Sequence, residues 1–161
     1  MPRRQVSKAG DAAREFEARV EPNLETMLRL AKRLGRDHAE DIVQDALARA
    51  WAKRGQFDPA LGSFAAWILA ITADQAYKTW RWHSRRDRPI AHEPRESQAP
   101  EVMLDLEASI RKLPDRQRLA VDCFYFAGLS IAETAAVMRC SEGTVKSTLF
   151  DARATLRELL R

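Results

Sequence analysis

The chain has 161 residues, with 27 Lys+Arg against 23 Asp+Glu for a formal net charge of +4, and it is 45% hydrophobic and 31% charged. This composition folds, and it has room for one ordinary domain or two small ones. The longest uncharged run lies between Asp58 and Asp74 and is broken by Pro59, Gly62 and Ser63. A spanning helix needs roughly 20 apolar residues, so no membrane insertion is expected. Arg3 and Arg4 precede no apolar segment of the kind a signal peptide carries. Cys123 and Cys140 form no C-x-x-C motif and have no histidine at ligand spacing. Neither a disulfide scaffold nor a structural metal is expected, and a reducing, cytoplasmic location is.

In chain order the first half reads as helices. Phe16, Val20, Leu24, Leu28 and Ala31 fall at helical spacing, with Met27, Leu30 and Leu34 beside them. Gly35 is a natural stop. Asp37 can cap the next helix, with Glu40 three residues on in capping-box register. Ile42, Val43, Ala46, Leu47, Ala50 and Trp51 form its apolar face. Residues 55–62 read as a loop. Ser63 can cap a long helix through Phe64, Trp67, Ile68 and Ile71 and past Tyr77. Pro89, Pro94 and Pro100 then punctuate an aperiodic stretch that reads as a flexible linker.

The second half is also helical by pattern. A helix over 102–112 is followed by one with Pro114 in its first turn, running through Leu119, Val121 and Phe124 to a stop at Gly128. Ser130 and Glu133 form a second capping box ahead of a short helix to Met138. Arg139 and Cys140 make a tight turn, and Ser141 caps the last helix. Val145, Leu149, Ala152, Leu156 and Leu159 should be its buried stripe. The expected fold is all-α. It has an extension over 1–15, a helical domain over 16–88, a linker over 89–101 and a helix–turn–helix domain over 102–161.

Three segments carry candidate chemistry. A short helix, a tight turn and a long helix from Ser130 to Leu160 suit a DNA reader, with Thr144, Lys146, Ser147, Phe150 and Asp151 facing outward. The plainer alternative is two packed helices of a bundle. Residues 78–88 hold five basic residues against Asp87 alone, interleaved with Trp80 and Trp82. Aromatic stacking beside phosphate-neutralising arginines is how single strands are held. A solvated helix end is the plainer alternative. Residues 37–45 hold four acids and no Lys or Arg. They suit a docking surface, a solvated face or, more remotely, a Mg²⁺ site of a nuclease, although no base stands in register. His38, His83 and His92 are scattered and read as inert.

DHAEDIVQDALARAW at 37–51 resembles the region 2.2 helix of bacterial RNA polymerase sigma factors, and GQFDPALGSFAAWILAI at 55–71 is similar to region 2.3. LPDRQRLAVDCFYFAGLSIAETAAVMRCSEGTVKSTLFDARATLREL resembles region 4. Two such domains and a short linker resemble the extracytoplasmic-function type. The resemblance implies a promoter-specificity subunit that is no enzyme and carries no cofactor or metal. It implies docking on core RNA polymerase, at the β′ clamp helices through Asp41, Gln44 and Asp45, and at the β subunit. It implies -10 contacts from Asp74, Lys78, Trp80, Arg81, Arg85 and Arg86. It implies -35 contacts from Thr144, Lys146, Ser147, Thr148, Phe150 and Asp151. An anti-sigma factor is a further implied partner.

Four positions depart from the family pattern. Asn is common where Asp74 stands, an acid where Lys78 stands, and Arg where Thr148 and Asp151 stand. A carboxylate at 151 either accepts from a cytosine N4 or repels phosphate, and repulsion is the expectation. The rival reading is a stand-alone helix–turn–helix regulator that dimerises on a palindrome.

Overall fold

The computed structural model describes the backbone of residues 3–86 and 100–161, and the side chains of residues 8–79 and 100–161. Every regular element among them is helical. The order is α1 (Arg3–Val20), α2 (Leu24–Gly35), α3 (Ala39–Lys53), α4 (Phe64–Arg86), α5 (Glu101–Arg111), α6 (Asp115–Val121), α7 (Ile131–Met138) and α8 (Glu142–Leu159). Short 3-10 turns at Glu21–Asn23, Arg36–His38 and Arg54–Gln56 separate the first four helices.

The first unit forms because α2, α3 and α4 each carry one apolar stripe. Met27, Leu30, Ile42, Ile68 and Leu69 are fully buried, each removing about 1.5–3 kcal/mol worth of apolar side chain from water. The stripe expected to run unbroken from Phe16 to Ala31 is interrupted. Pro22 sets a 3-10 turn, so Phe16 and Val20 belong to one helix and Leu24 onward to the next. The first helix starts at Arg3, well before the first periodic residue, Phe16.

The α2–α3 joint differs from expectation in one way. Asp37 lies inside the 3-10 turn, and the N-cap of α3 is His38, with no side-chain cap bond, so the expected capping box does not form. Gly35 ends α2 as expected, and the positive φ falls on the next residue, Arg36, at 51°. A Cβ at 35 would overlap Ile42 Cδ1, which is fully buried, so a larger residue there must displace that side chain.

In the second unit the expected caps do form. Ser130 Oγ accepts from Glu133 N at 3.1 Å, and Glu133 Oε2 accepts from Ser130 N at 2.7 Å. Ser141 Oγ accepts from Thr144 N at 3.1 Å. Between α6 and α7 the chain passes through a π-helical turn, Asp122–Phe126, and reverses at Gly128 with φ 72°. That positive φ favours glycine. Val145, Leu149 and Ala152 are buried against α6 and α7, whereas Leu156 is half-buried and Leu159 is 39% exposed, so the stripe ends a turn earlier than its spacing predicts.

The two units are not merely tethered. Cys123, Ala127, Leu129 and Val137 share one buried cluster with the residues of α2, α3 and α4, and α7 lies along α4. A second cluster, built from α5 to α8, holds Ile110, Leu113, Val121, Val145 and Leu149.

Replacing Ser130 with Ala removes one half of the reciprocal cap on α7. The expected cost is about 1 kcal/mol, which lowers the midpoint of thermal unfolding by about 2–4 °C for a chain of this size. Calorimetry of the full chain checks this, and an unchanged midpoint would contradict the role given to the cap.

Candidate functional site

Helix α8 is aimed by its N-terminal joint. Arg139 adopts a left-handed conformation (φ 53°, ψ 50°), and its N–H returns to the carbonyls of Ala135 and Ala136. Cys140 N–H bonds to Ala135 O at 3.1 Å. This closes α7 and lets α8 leave at a new angle. With Val145, Leu149 and Ala152 turned inward, Thr144, Lys146, Ser147, Phe150 and Asp151 are all exposed, as the periodicity predicts. Thr148 is half-buried and stands at the flank of that face.

The face offers a definite set of groups. Lys146 supplies a cation. Phe150, 66% exposed, supplies an apolar surface of the kind that meets a thymine methyl. Ser147 Oγ already donates to Thr144 O at 3.0 Å, so it presents lone pairs rather than a donor. Thr144 Oγ1 lies 2.9 Å from Ser141 Oγ and is shared with the cap. Asp151 presents a carboxylate on the same exposed face.

Helix α3 is two-faced. Ile42, Val43, Ala46 and Ala50 are buried, and Asp41, Gln44 and Asp45 are exposed on the opposite side. Asp41 and Asp45 sit one turn apart, about 6 Å along the axis. Beside them lies an open, polar depression lined by Lys32, Arg36, Asp37, Ala39, Glu40 and Asp41. The acids are thus presented together on a rigid element, as a charge-complementary docking face requires.

The loop ahead of α4 is held by an aromatic cluster. The Phe57 ring stands 5.5 Å from Phe64 and 5.5 Å from Trp67, while Phe16 meets Trp51 at 5.3 Å and Phe64 at 6.2 Å. Edge-on pairs at these separations add to the burial of the rings. Ser63 Oγ accepts from Ala66 N at 3.1 Å and so starts α4. Between these two anchors the loop carries Leu61 outward, 88% exposed. Phe57 as the fastening of this loop escaped the sequence reading, because one aromatic inside a loop has no period.

On α4, Lys78 is exposed, and Asp74 is engaged by Arg139, whose Nη2 donates to Asp74 Oδ2 at 2.7 Å. Trp80, Arg81, Arg85 and Arg86 stand on the backbone of α4, but their side chains lie outside the described residues. The linker expected over 89–101 lies mostly outside them too.

Other buried groups are structural. Burial, with Cys123 and Asp122 nearby, pushes the Tyr77 hydroxyl up to about 12. Burial likewise pushes the Cys123 thiol up to about 12, which keeps it protonated and unreactive at neutral pH. Among the described residues no three His, Cys, Asp or Glu side chains converge as a metal site would need, and no helix is long and apolar enough to cross a membrane.

Comparison with known proteins bears on the two helical units as a whole. The Sigma-70 region 2 family matches residues 19–86, and the Sigma-70, region 4 family matches residues 103–156. The chain is 34% identical over 127 residues to the ECF RNA polymerase sigma factor SigF of Caulobacter vibrioides, covering 76% of this chain and 70% of that one. It is 33% identical over 154 residues to the RNA polymerase sigma-E factor of Streptomyces coelicolor, covering 91% and 86%. The solved structure of the sigma factor RpoE in complex with the anti-sigma factor NepR, from Bartonella quintana, superposes with a TM-score of 0.66 at 29% identity, covering 91% of this chain and 96% of that one. The chain belongs to the extracytoplasmic-function sigma factors, the promoter-recognition subunits of bacterial RNA polymerase.

Proposed function

We propose that this sigma factor works through three separate faces on one helical scaffold. The exposed side of α3, with Asp41, Gln44 and Asp45, docks on the β′ clamp helices of core polymerase. The loop over 55–62 and helix α4, with Asp74, Lys78, Trp80, Arg81, Arg85 and Arg86, handle the -10 element. Helix α8 enters the -35 major groove with Thr144, Lys146, Ser147 and Phe150, flanked by Thr148. The domains divide the work at the linker, residues 16–88 serving polymerase and the -10 element and residues 102–161 serving the -35 element and the β subunit. The chain acts in the cytoplasm without catalysing a reaction, and an anti-sigma factor of the kind its structural neighbour binds holds it in check.

One observation supports this assignment above the others. The acidic face of α3 and the polar face of α8 are both exposed, while the opposite side of each helix is buried in the core. Each surface can therefore be altered without unfolding its helix. Physically, an acidic face suits the basic partner that docking needs, and Lys146 with an exposed aromatic suits a groove read by base edges and framed by phosphates.

Reversing both charges, Asp41→Lys with Asp45→Lys, should weaken binding to purified core polymerase by about ten- to a hundred-fold and leave helicity unchanged. Equilibrium binding of the full chain to core enzyme measures this, and unchanged affinity would contradict the docking role of α3.

Asp151 lies a turn after Ser147 on the exposed face, beyond the N-terminal residues that usually touch base edges. Its carboxylate is therefore expected to repel phosphate rather than read a base. Asp151→Ala should tighten duplex binding about fivefold across many sequences, with little change in preference. Binding measured over a randomised -35 library decides the point. Weaker binding confined to sites with one particular C·G pair would show base readout instead.

A further inference from the structure

We propose that helix α1 is the support of the loop over 55–62, and that Phe16 and Arg19 are positioning residues for opening of the -10 element. They act through Phe57 and touch no DNA. That α1 holds the loop rests on contacts within this chain. What the held loop does rests on the function proposed above.

The loop has a single inward side chain. From Ala52 to Ser63 every residue is exposed except Phe57. At the tip, Leu61 N–H bonds to Asp58 O at 3.0 Å and Ala60 N–H bonds to Asp58 Oδ1 at 2.9 Å. Both bonds fold the tip on itself, and neither ties it to the body of the protein. At the entry, the Arg54 guanidinium carbon lies 3.8 Å from the centre of the Trp51 ring, and Nη1 donates to Trp51 O at 2.7 Å. At the exit, Ser63 caps α4. Between these two points Phe57 alone fixes where the loop lies.

Phe57 is held from two helices. Its ring meets Phe64 and Trp67 of α4. From α1, the Arg19 guanidinium carbon lies 5.9 Å from the Phe57 ring centre and 6.0 Å from the Phe64 ring centre. One cation thus bridges the loop ring and the helix ring it rests on. Phe16, one turn earlier on α1, meets Trp51 and Phe64 edge-on, so it braces α3 and α4 on either side of the loop. The support is itself fixed. Arg19 Nη2 donates to Glu15 Oε1 at 3.0 Å, and Asn23 Nδ2 donates to Arg19 O at 2.9 Å across the turn set by Pro22.

Helix α1 has little other contact with the body. From Lys8 to Val20 only Val20 is buried, with Ala12, Ala13 and Phe16 half-buried. The aromatic contact is therefore where α1 acts on the fold. Its consequence is order in the loop. Leu61 and the turn at Asp58 are presented in one place only while Phe57 is seated, and a loop ordered in advance spares a bound strand the entropy of ordering it. Arg19 is engaged by Glu15 and the two rings, which sets it apart from a phosphate contact.

Arg19→Ala separates support from folding, because Arg19 is exposed. Circular dichroism of the full chain should show unchanged helicity. Hydrogen exchange at the Phe57, Ala60 and Leu61 amides should be about threefold faster, and exchange in α2 unchanged. Arg19→Lys keeps a cation over both rings and should restore slow exchange. Holoenzyme carrying each variant is then tested on promoters that the native holoenzyme selects from a random library. Permanganate-reactive thymines in the -10 region should appear about threefold more slowly with Arg19→Ala and at the native rate with Arg19→Lys. The salt dependence of promoter binding should not change, since no phosphate contact is lost. Unchanged exchange in the loop, or faster exchange with opening at the native rate, would overturn the proposal. A salt slope lower by about one would overturn it as well, because Arg19 would then touch phosphate itself. Faster loop exchange in a chain whose native holoenzyme opens no promoter would support α1 as the brace of the loop and count against the promoter assignment alone.

Discussion

Four side chains from the second half of the chain, Cys123, Ala127, Leu129 and Val137, are buried in the same apolar cluster as Leu30, Ile42 and Leu69 from the first. Much else depends on that placement. It sets α7 along α4, and because the left-handed Arg139 joint fixes α8 relative to α7, it also sets where the reading face of α8 points. The π-helical turn at Asp122–Phe126 serves the same end. It brings Cys123 inward and holds Asp122 and Phe126 where Arg33 can reach both.

Charge is used in two distinct ways on this scaffold. At the surface, the acids of α3 and Lys146 of α8 sit on opposite faces from the core, where water screens them until a partner displaces it. Between the domains, Arg33 and Asp122 are largely withdrawn from water, with side-chain exposures of 21% and 10%. A pair that deep gives little net stability, since desolvation offsets most of the attraction. What it does give is dependence on a single geometry: Asp122 is satisfied only while Arg33 lies against it. That separates a contact that selects one arrangement from the apolar seam that supplies its strength.

Much of the fold was legible in sequence because its signals are local. The box at Ser130 and Glu133, the cap at Ser141 and the four-and-three spacing of Val145, Leu149 and Ala152 all depend on residues within one or two turns of each other. The outward face of α8 followed directly. The failures have local causes too. Asp37 had capping register, but the 3-10 turn from Arg36 moved the helix start beyond it. Gly35 does end α2, as its place after the apolar stripe suggested, but the close packing of Ile42 against it needed the fold. Pro22 fell between apolar residues whose spacing ran straight through it. The candidate site divides the same way. The exposed acids of α3 were visible as a run of like charge, but nothing within ten residues of Arg33 or Asp74 announces a partner 65 or more residues away. The departure at Asp74 was visible as an unusual residue, and its bond to Arg139 needed the fold.

The most direct measurement is transcription from a library of promoters by core polymerase reconstituted with the full chain, with every transcript start sequenced. The expected result is a set of starts that requires both chain and core enzyme and shares one pair of -10 and -35 elements at fixed spacing. Starts that are the same without the chain, together with tight binding of a chain dimer to palindromic DNA in the absence of polymerase, would contradict promoter recognition as part of the polymerase and favour a stand-alone regulator.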